Sequence, residues 1–361
     1  MVQRLLLIAA MAAGYAWGQA ASNPIQDALQ KKDYATAFKL LKPLADQGDG
    51  QAQSILGGLY ADGLGTKANL PEAIALWKKA AAQNVVPAQY NLGILYGSGK
   101  GVKRDYAEAA KWIRMAADGG LPDAAADVAA MYHKGQGVPR DYGKALEYYK
   151  KAANAGMVEA QYSVASMYAS GQGTKQDYSE AMNWYRKAAD AGMVEAQFNI
   201  GAMYFSGQGA AKDPVQAFVW TKKAADKGHP QAAMNLGLMY INGMGVMKDK
   251  AQALEWFKKA NAAKFPEALN AIRAMGEEKY PPAQVEMGLA YENGRGVPKL
   301  ITEAVSWYRE AALSGNAAGQ YNYGRLYAEG KGVVQNDTEA RSWFEKAAKQ
   351  GHAQAKARLK Q

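Results

Sequence analysis

Eight glycine pairs of the form Gly-x-Gly punctuate the 361-residue sequence: Gly63/Gly65, Gly99/Gly101, Gly135/Gly137, Gly171/Gly173, Gly207/Gly209, Gly243/Gly245, Gly294/Gly296 and Gly330/Gly332. A glycine loop can cradle a phosphate, because backbone without Cβ atoms approaches the anion closely. None of these pairs continues into Gly-Lys-Ser/Thr, and a ligand loop has no reason to recur eight times at a 36-residue step broken only once. The pairs read instead as turns, where glycine supplies a positive φ. The three histidines, His133, His229 and His352, stand in different periods with no partner at metal-ligand or catalytic spacing, and they read as loop or helix-end residues. No serine has a lysine three residues on, which removes the serine-lysine nucleophile of penicillin-recognising enzymes. No catalytic residue, cofactor site or metal site is therefore expected.

Two other patterns could bind without reacting. The first is a column of Tyr90, Tyr162, Phe198, Met234 and Tyr321, with Asn91, Asn199, Asn235, Glu286 and Asn322 beside it. Aromatic rings next to amides are adaptable protein-binding chemistry, although the same side chains could simply cover a neighbouring helix. The second is a basic ladder, Lys78, Arg114, Lys150, Arg186, Lys222, Lys258 and Arg309, followed one position later by Lys79, Lys151, Lys187, Lys223, Lys259 and Lys346. With packed helices about 10 Å apart, such a ladder could track an anionic glycan or peptidoglycan strand. It could equally be the charged outer face of ordinary surface helices.

The elements that position these residues follow from periodicity. Three residues before the first glycine of every pair stands a tyrosine: Tyr60, Tyr96, Tyr132, Tyr168, Tyr204, Tyr240, Tyr291 and Tyr327. A small residue lies eight before it and a larger apolar one four before it, as in Ala88 and Leu92 ahead of Tyr96. This spacing puts all three on one helical face. Gly or Ala three before the tyrosine, as at Gly93, marks a close helix contact, because glycine inside a helix costs about 1 kcal/mol relative to alanine.

A second helix opens after each pair on a capping residue, Asn69, Asp105, Asp141, Asp177, Asp213, Asp249 and Asn336, with Leu300 breaking the column. Seven residues on comes a large side chain (Leu76, Trp112, Tyr148, Trp184, Trp220, Trp256, Trp307, Trp343), then, in all units but one, an alanine pair. Regular helical spacing assigns the tyrosine and tryptophan columns to the seam between helices, not to a sugar- or base-stacking platform. A fixed 36-residue helix-turn-helix unit predicts a solenoid in which each repeat buries its apolar face against its neighbours.

The segment "AQYNLGILYGSGKGVKRDYAEAAKWIRMAADGG" resembles the Sel1-like repeat, a relative of the tetratricopeptide repeat, and the likeness extends over roughly residues 27 to 361. It implies an all-α, right-handed α-α superhelical solenoid whose first helices line a concave groove, and an adaptor role in envelope, exopolysaccharide, signalling or host-contact pathways. Some cysteine-rich relatives are described as β-lactam-binding or weakly hydrolytic. A β-lactam or cell-wall hydrolase is accordingly the lesser alternative, and this chain has neither their cysteines nor the serine motif.

The expected organisation is a partial repeat over 21–51, six repeats over 52–265, an irregular insert over 266–282, then two repeats and a capping helix over 283–361. The insert follows from one step of 51 residues, Gly243 to Gly294. It is expected to hold an extra helix, "EALNAIRAMG", and a proline-bearing loop. Residues 1–20 run from Arg4 through a short apolar stretch to small residues, the order of a secretory signal peptide. An uncleaved anchor is the alternative. A periplasmic or secreted protein follows, with no transmembrane segment in the mature chain. With no cysteine, a net charge of +10 and a pI near 9.3, stability rests on packing and acidic partners are favoured. The expected partners are envelope or secreted proteins, with an anionic glycan as the alternative and no nucleic acid.

Overall fold

The computed structural model describes residues 24–360, in which every regular element is a helix and no strand occurs. The expected signal peptide lies outside the described residues. Two compact units divide the chain at Ala191/Gly192, and each is a stack of helix pairs, the solenoid architecture expected. In the first, the short helix Pro24–Gln30 and Tyr34–Asp46 precede the pairs Gly50–Asp62 with Leu70–Ala82, Val86–Ser98 with Tyr106–Asp118, Pro122–Lys134 with Tyr142–Asn154, and Val158–Ser170 with Tyr178–Asp190. In the second, Val194–Ser206 pairs with Pro214–Asp226, Pro230–Asn242 with Lys250–Ala262, Pro281–Asn293 with Ile301–Leu313, and Ala317–Glu329 with Asp337–Lys349, before a six-residue cap, Ala353–Arg358.

Each pair is closed by the glycine turn. The first glycine caps the first helix in the left-handed conformation, with φ between +60 and +77°, and the second holds φ between +69 and +75°. The carbonyl of the tyrosine in the tyrosine column accepts the backbone N–H of the next helix's cap residue in all eight turns, at 2.8 to 3.1 Å. The side chains of the predicted caps accept first-turn N–H groups, as Asp141 does from Lys144 at 3.0 Å, whereas Leu300 makes no such bond. Trp77 Nε1 donates to the Ser54 carbonyl at 2.9 Å, while Asn69 N reaches Tyr60. Position falls along one helix as it rises along the other, so the pair is antiparallel.

The glycine inside the first helix has the packing role its spacing implied. A Cβ on Gly57 would sit 2.7 Å from Trp77 Nε1, and one on Gly237 would overlap the Phe257 ring. The side chain that fills this space is the residue after the tryptophan column. Trp77 and Tyr308 are 0% exposed and Phe257 1%, whereas Trp112, Trp220, Trp307 and Trp343 are half-buried. At Gly65, Gly137, Gly173 and Gly245 the second turn glycine makes an equally close contact with the backbone of the preceding repeat. A Cβ on Gly137 would overlap the Tyr106 carbonyl, and one on Gly245 that of Pro214.

The irregular step is more compact than a helix plus a loop. Pro266–Glu277 is a single helix, and Pro281 and Pro282 belong to the first turn of Pro281–Asn293. Proline fits there because the N–H it lacks would have no partner in the helix. Pro266–Glu277 starts after the joint a first helix follows, with Lys264 at φ +60°, and ends before the joint a second helix precedes, with Lys279 at φ +61°. One helix stands where a pair stands elsewhere.

Candidate functional site

The aromatic and amide column does not form one accessible strip. Tyr90 is buried, and its hydroxyl donates to Asp127 Oδ2 at 2.8 Å on the next repeat's first helix. Burial pushes the Asp127 carboxyl above its ordinary range, and the Tyr90 hydrogen bond only partly offsets this. Asn91 is 2% exposed and Met234 is buried as well, so these three sit under the surface the column was expected to present. Tyr90 reaches the adjoining repeat's first helix, a contact that a single-repeat reading does not supply.

The remaining members are half-buried and lean on neighbours. Phe198 stacks on His229 at 4.6 Å and Tyr321 on His352 at 4.6 Å, while Tyr162 meets Tyr185 at 5.4 Å. Asn199 is half-buried. Asn235 accepts from Gln231, and Asn322 donates to the Ala318 carbonyl. Both stacked histidines cap a first helix through Nδ1, His229 to Ala232 N at 3.1 Å and His352 to Ala355 N at 3.4 Å. His133 lies in the last turn of its helix and contacts Gln172.

The basic ladder is partly engaged. Lys222 pairs with Asp226 at 2.6 Å, and Lys258 with both Glu255 and Glu286 at 3.1 Å. Lys150 reaches the Tyr168 hydroxyl at 3.5 Å, and a hydrogen bond to Tyr132 raises the Arg114 pKa. Lys78, Arg186 and Arg309 are exposed. In the second column the ammonium groups fold onto rings three residues back. Lys187 sits 3.8 Å from the Trp184 centroid, Lys223 3.9 Å from Trp220, Lys259 3.7 Å from Trp256 and Lys346 3.8 Å from Trp343. These contacts spend part of the ladder's charge inside the protein.

One column was overlooked although its signal, glutamine after the small residue, is visible in the sequence. Gln53 Nε2 donates to the Ala45 carbonyl at 3.0 Å, Gln284 to Gly276 at 3.1 Å and Gln320 to Ala312 at 3.5 Å, each eight residues back across the joint. The glutamine thereby satisfies a carbonyl at the end of the preceding second helix.

The geometry agrees with the comparisons. A family model of the Sel1 repeat matches residues 26–49, 50–85, 86–121, 122–157, 158–193, 194–229, 230–264, 281–316 and 317–352. The chain belongs to the Sel1 repeat family. A solved Sel1 repeat protein from Oxalobacter formigenes is 33% identical, with 96% of each chain covered and a TM-score of 0.57. A protective antigen present in uropathogenic Escherichia coli strains and displaying an SLR fold is 35% identical, with a TM-score of 0.57. The alignment covers 89% of this chain and 66% of that one. Among curated proteins there is no match.

The Sel1 matches make the partial first repeat a ninth member, and they leave 265–280 unmatched, the stretch that holds Pro266–Glu277. Along this helix runs a cleft of about 830 Å³. Its floor is apolar, made by Phe265, Pro266, Leu269, Ile272, Leu289 and Ala290, and its rim carries Lys258, Asn261, Lys264, Glu286 and Arg295. It brings together two residues from separate sequence patterns, the ladder's Lys258 and the amide column's Glu286. The other predicted site residues lie elsewhere. A step of 51 residues signalled the irregularity, but only the packing of three successive helices shows that it opens a cleft.

Proposed function

We propose that this protein is an exported, non-enzymatic scaffold of the bacterial cell envelope that holds partner proteins on the first-helix faces of its Sel1 repeats. One observation carries the reading: positions that pack are nearly invariant from repeat to repeat, whereas one first-helix face is not. The tyrosine, turn-glycine and alanine-pair columns recur through the array, but the position two before the tyrosine reads Gly58, Ile94, Ala130, Ser166, Ala202, Leu238, Leu289 and Arg325. Ser166, Ala202 and Leu238 are exposed there. A repeated frame with a variable face suits recognition of another surface, the general use of solenoid repeats. Export rests on the charge, apolar stretch and small residues of the first twenty positions.

The test is cross-linking in the protein's own cells, identification of the captured protein, and reassembly of the complex from purified components. Ser166→Glu with Ala202→Glu is expected to weaken that complex by about tenfold or more. A complex indifferent to both substitutions, or no specific capture, would sink the scaffold reading. Mass spectrometry of the protein from fractionated cells checks export; a cytoplasmic chain retaining residues 1–20 would refute it.

A further inference from the structure

We propose that the cleft along Pro266–Glu277 docks a segment of a partner protein that carries large apolar side chains flanked by carboxylates. The proposal deepens the scaffold reading and rests on it. The floor of Phe265, Leu269, Ile272 and Leu289 supplies apolar surface that a side chain can cover. The rim carries three cations, Lys258, Lys264 and Arg295, against the one carboxylate of Glu286. Lys258 is held by Glu255 and Glu286 at 3.1 Å each, so that wall is internally compensated. Lys264 and Arg295 are exposed and carry no ion pair among the described residues. An incoming carboxylate can pair with either cation, whereas an incoming lysine would meet like charge that no ion pair offsets.

Seven other joints of this kind carry glycine at φ between +82 and +98°, whereas Lys264 occupies the left-handed region at +60°, as Asn84 and Lys279 do at +61° in two further joints. A cation is thus held at the cleft mouth in a conformation that L side chains disfavour.

The test uses the full chain and three dye-labelled dodecapeptides, read by fluorescence anisotropy. The first alternates Leu and Phe with Asp and Glu, the second replaces the acids with Lys, and the third is Asp and Glu throughout. The first peptide is expected to bind at least about tenfold more tightly than either of the others. Lys264→Glu with Arg295→Glu, a surface double variant checked for unchanged helical circular dichroism, is expected to reverse the preference between the first two.

Equal binding of the first and second peptides would overturn the proposal, as would an unchanged preference in the double variant. Binding of the third as tight as the first would show a reader of acidic polymer instead, and would overturn it too. Failure here leaves the scaffold reading intact, because that reading is tested by native-partner capture with substitutions at Ser166 and Ala202, outside the cleft.

Discussion

Trp77 lies directly against Gly57, with its indole nitrogen 2.7 Å from where a Cβ would stand and its N–H donated to the Ser54 carbonyl. The glycine's poor helix propensity is offset by the room it leaves for the largest buried side chain. Gly57→Val is expected to destabilise by about 2 kcal/mol through overpacking. Gly97 also lies in a first helix, but a Cβ there would meet only Ala109 at an ordinary 3.6 Å. Gly97→Ala should therefore stabilise by up to about 1 kcal/mol. Thermal unfolding of the two variants would show opposite signs, and equal destabilisation would refute the distinction.

The turn glycines differ in the same way. Gly137 combines φ +75° with a forced overlap against the Tyr106 carbonyl, whereas Gly156, at φ +93°, has open space around it. Gly156→Ala carries only backbone strain, about 1 to 2 kcal/mol. Gly137→Ala must also displace the preceding repeat, and chemical denaturation should place its loss clearly above that of Gly156→Ala.

A glutamine clasp can be completed where it is absent. Gln83 donates to Gln53 Oε1 at 3.1 Å and to the Gly48 carbonyl at 3.1 Å, and Gln350 does the same for Gln320 and Gly315 at 2.9 and 2.8 Å. The corresponding residue in the repeat 281–316 is Ser314, and Gln284 Oε1 is buried there with no hydrogen-bond partner. Ser314→Gln is expected to raise stability by about 0.5 to 1.5 kcal/mol, with Gln350→Ala lowering it comparably. A Ser314→Gln protein no more stable than its parent would count against the clasp.

Acid should loosen the second unit through His229. Burial lowers its pKa from 6.5, with Glu195 opposing, and its Nδ1 must stay unprotonated to accept the Ala232 N–H. A lowered folded-state pKa means that the unfolded chain binds the proton more readily. The contribution is then whole above about pH 6.5 and declines as pH falls toward the folded-state value. His229→Asn keeps a cap acceptor that does not titrate in this range, so this part of the pH dependence should flatten. A denaturant midpoint with the same slope in both proteins between pH 7 and 5 would exclude the effect.

Local chemistry was the part legible in the sequence. Cap residues such as Asp105 and Asp177 and left-handed glycines such as Gly99 depend on a few neighbours in the chain, and the structure finds them as read. Depth was harder. One step along a helix turns a side chain by about 100°, and that step separates half-buried Trp307 from fully buried Tyr308. Tyr90 is buried with its hydroxyl bonded to Asp127, 37 residues away, and a column within one repeat carries no sign of it. The three-helix step shows in sequence as a number, but its cleft arises from packing alone.

In a solenoid each interface acts as a coupling constant between neighbours, and cooperativity passes only as far as the weakest coupling allows. Pro266–Glu277 carries that coupling within the second unit with one helix, through Ile272 and Met275 on its buried face and the Gln284 bond to Gly276 at its end. The same helix decides whether the flanking repeats melt as one block or two. A ligand that seals its cleft would then act as a clamp on unfolding, tying the mechanical integrity of the array to occupancy.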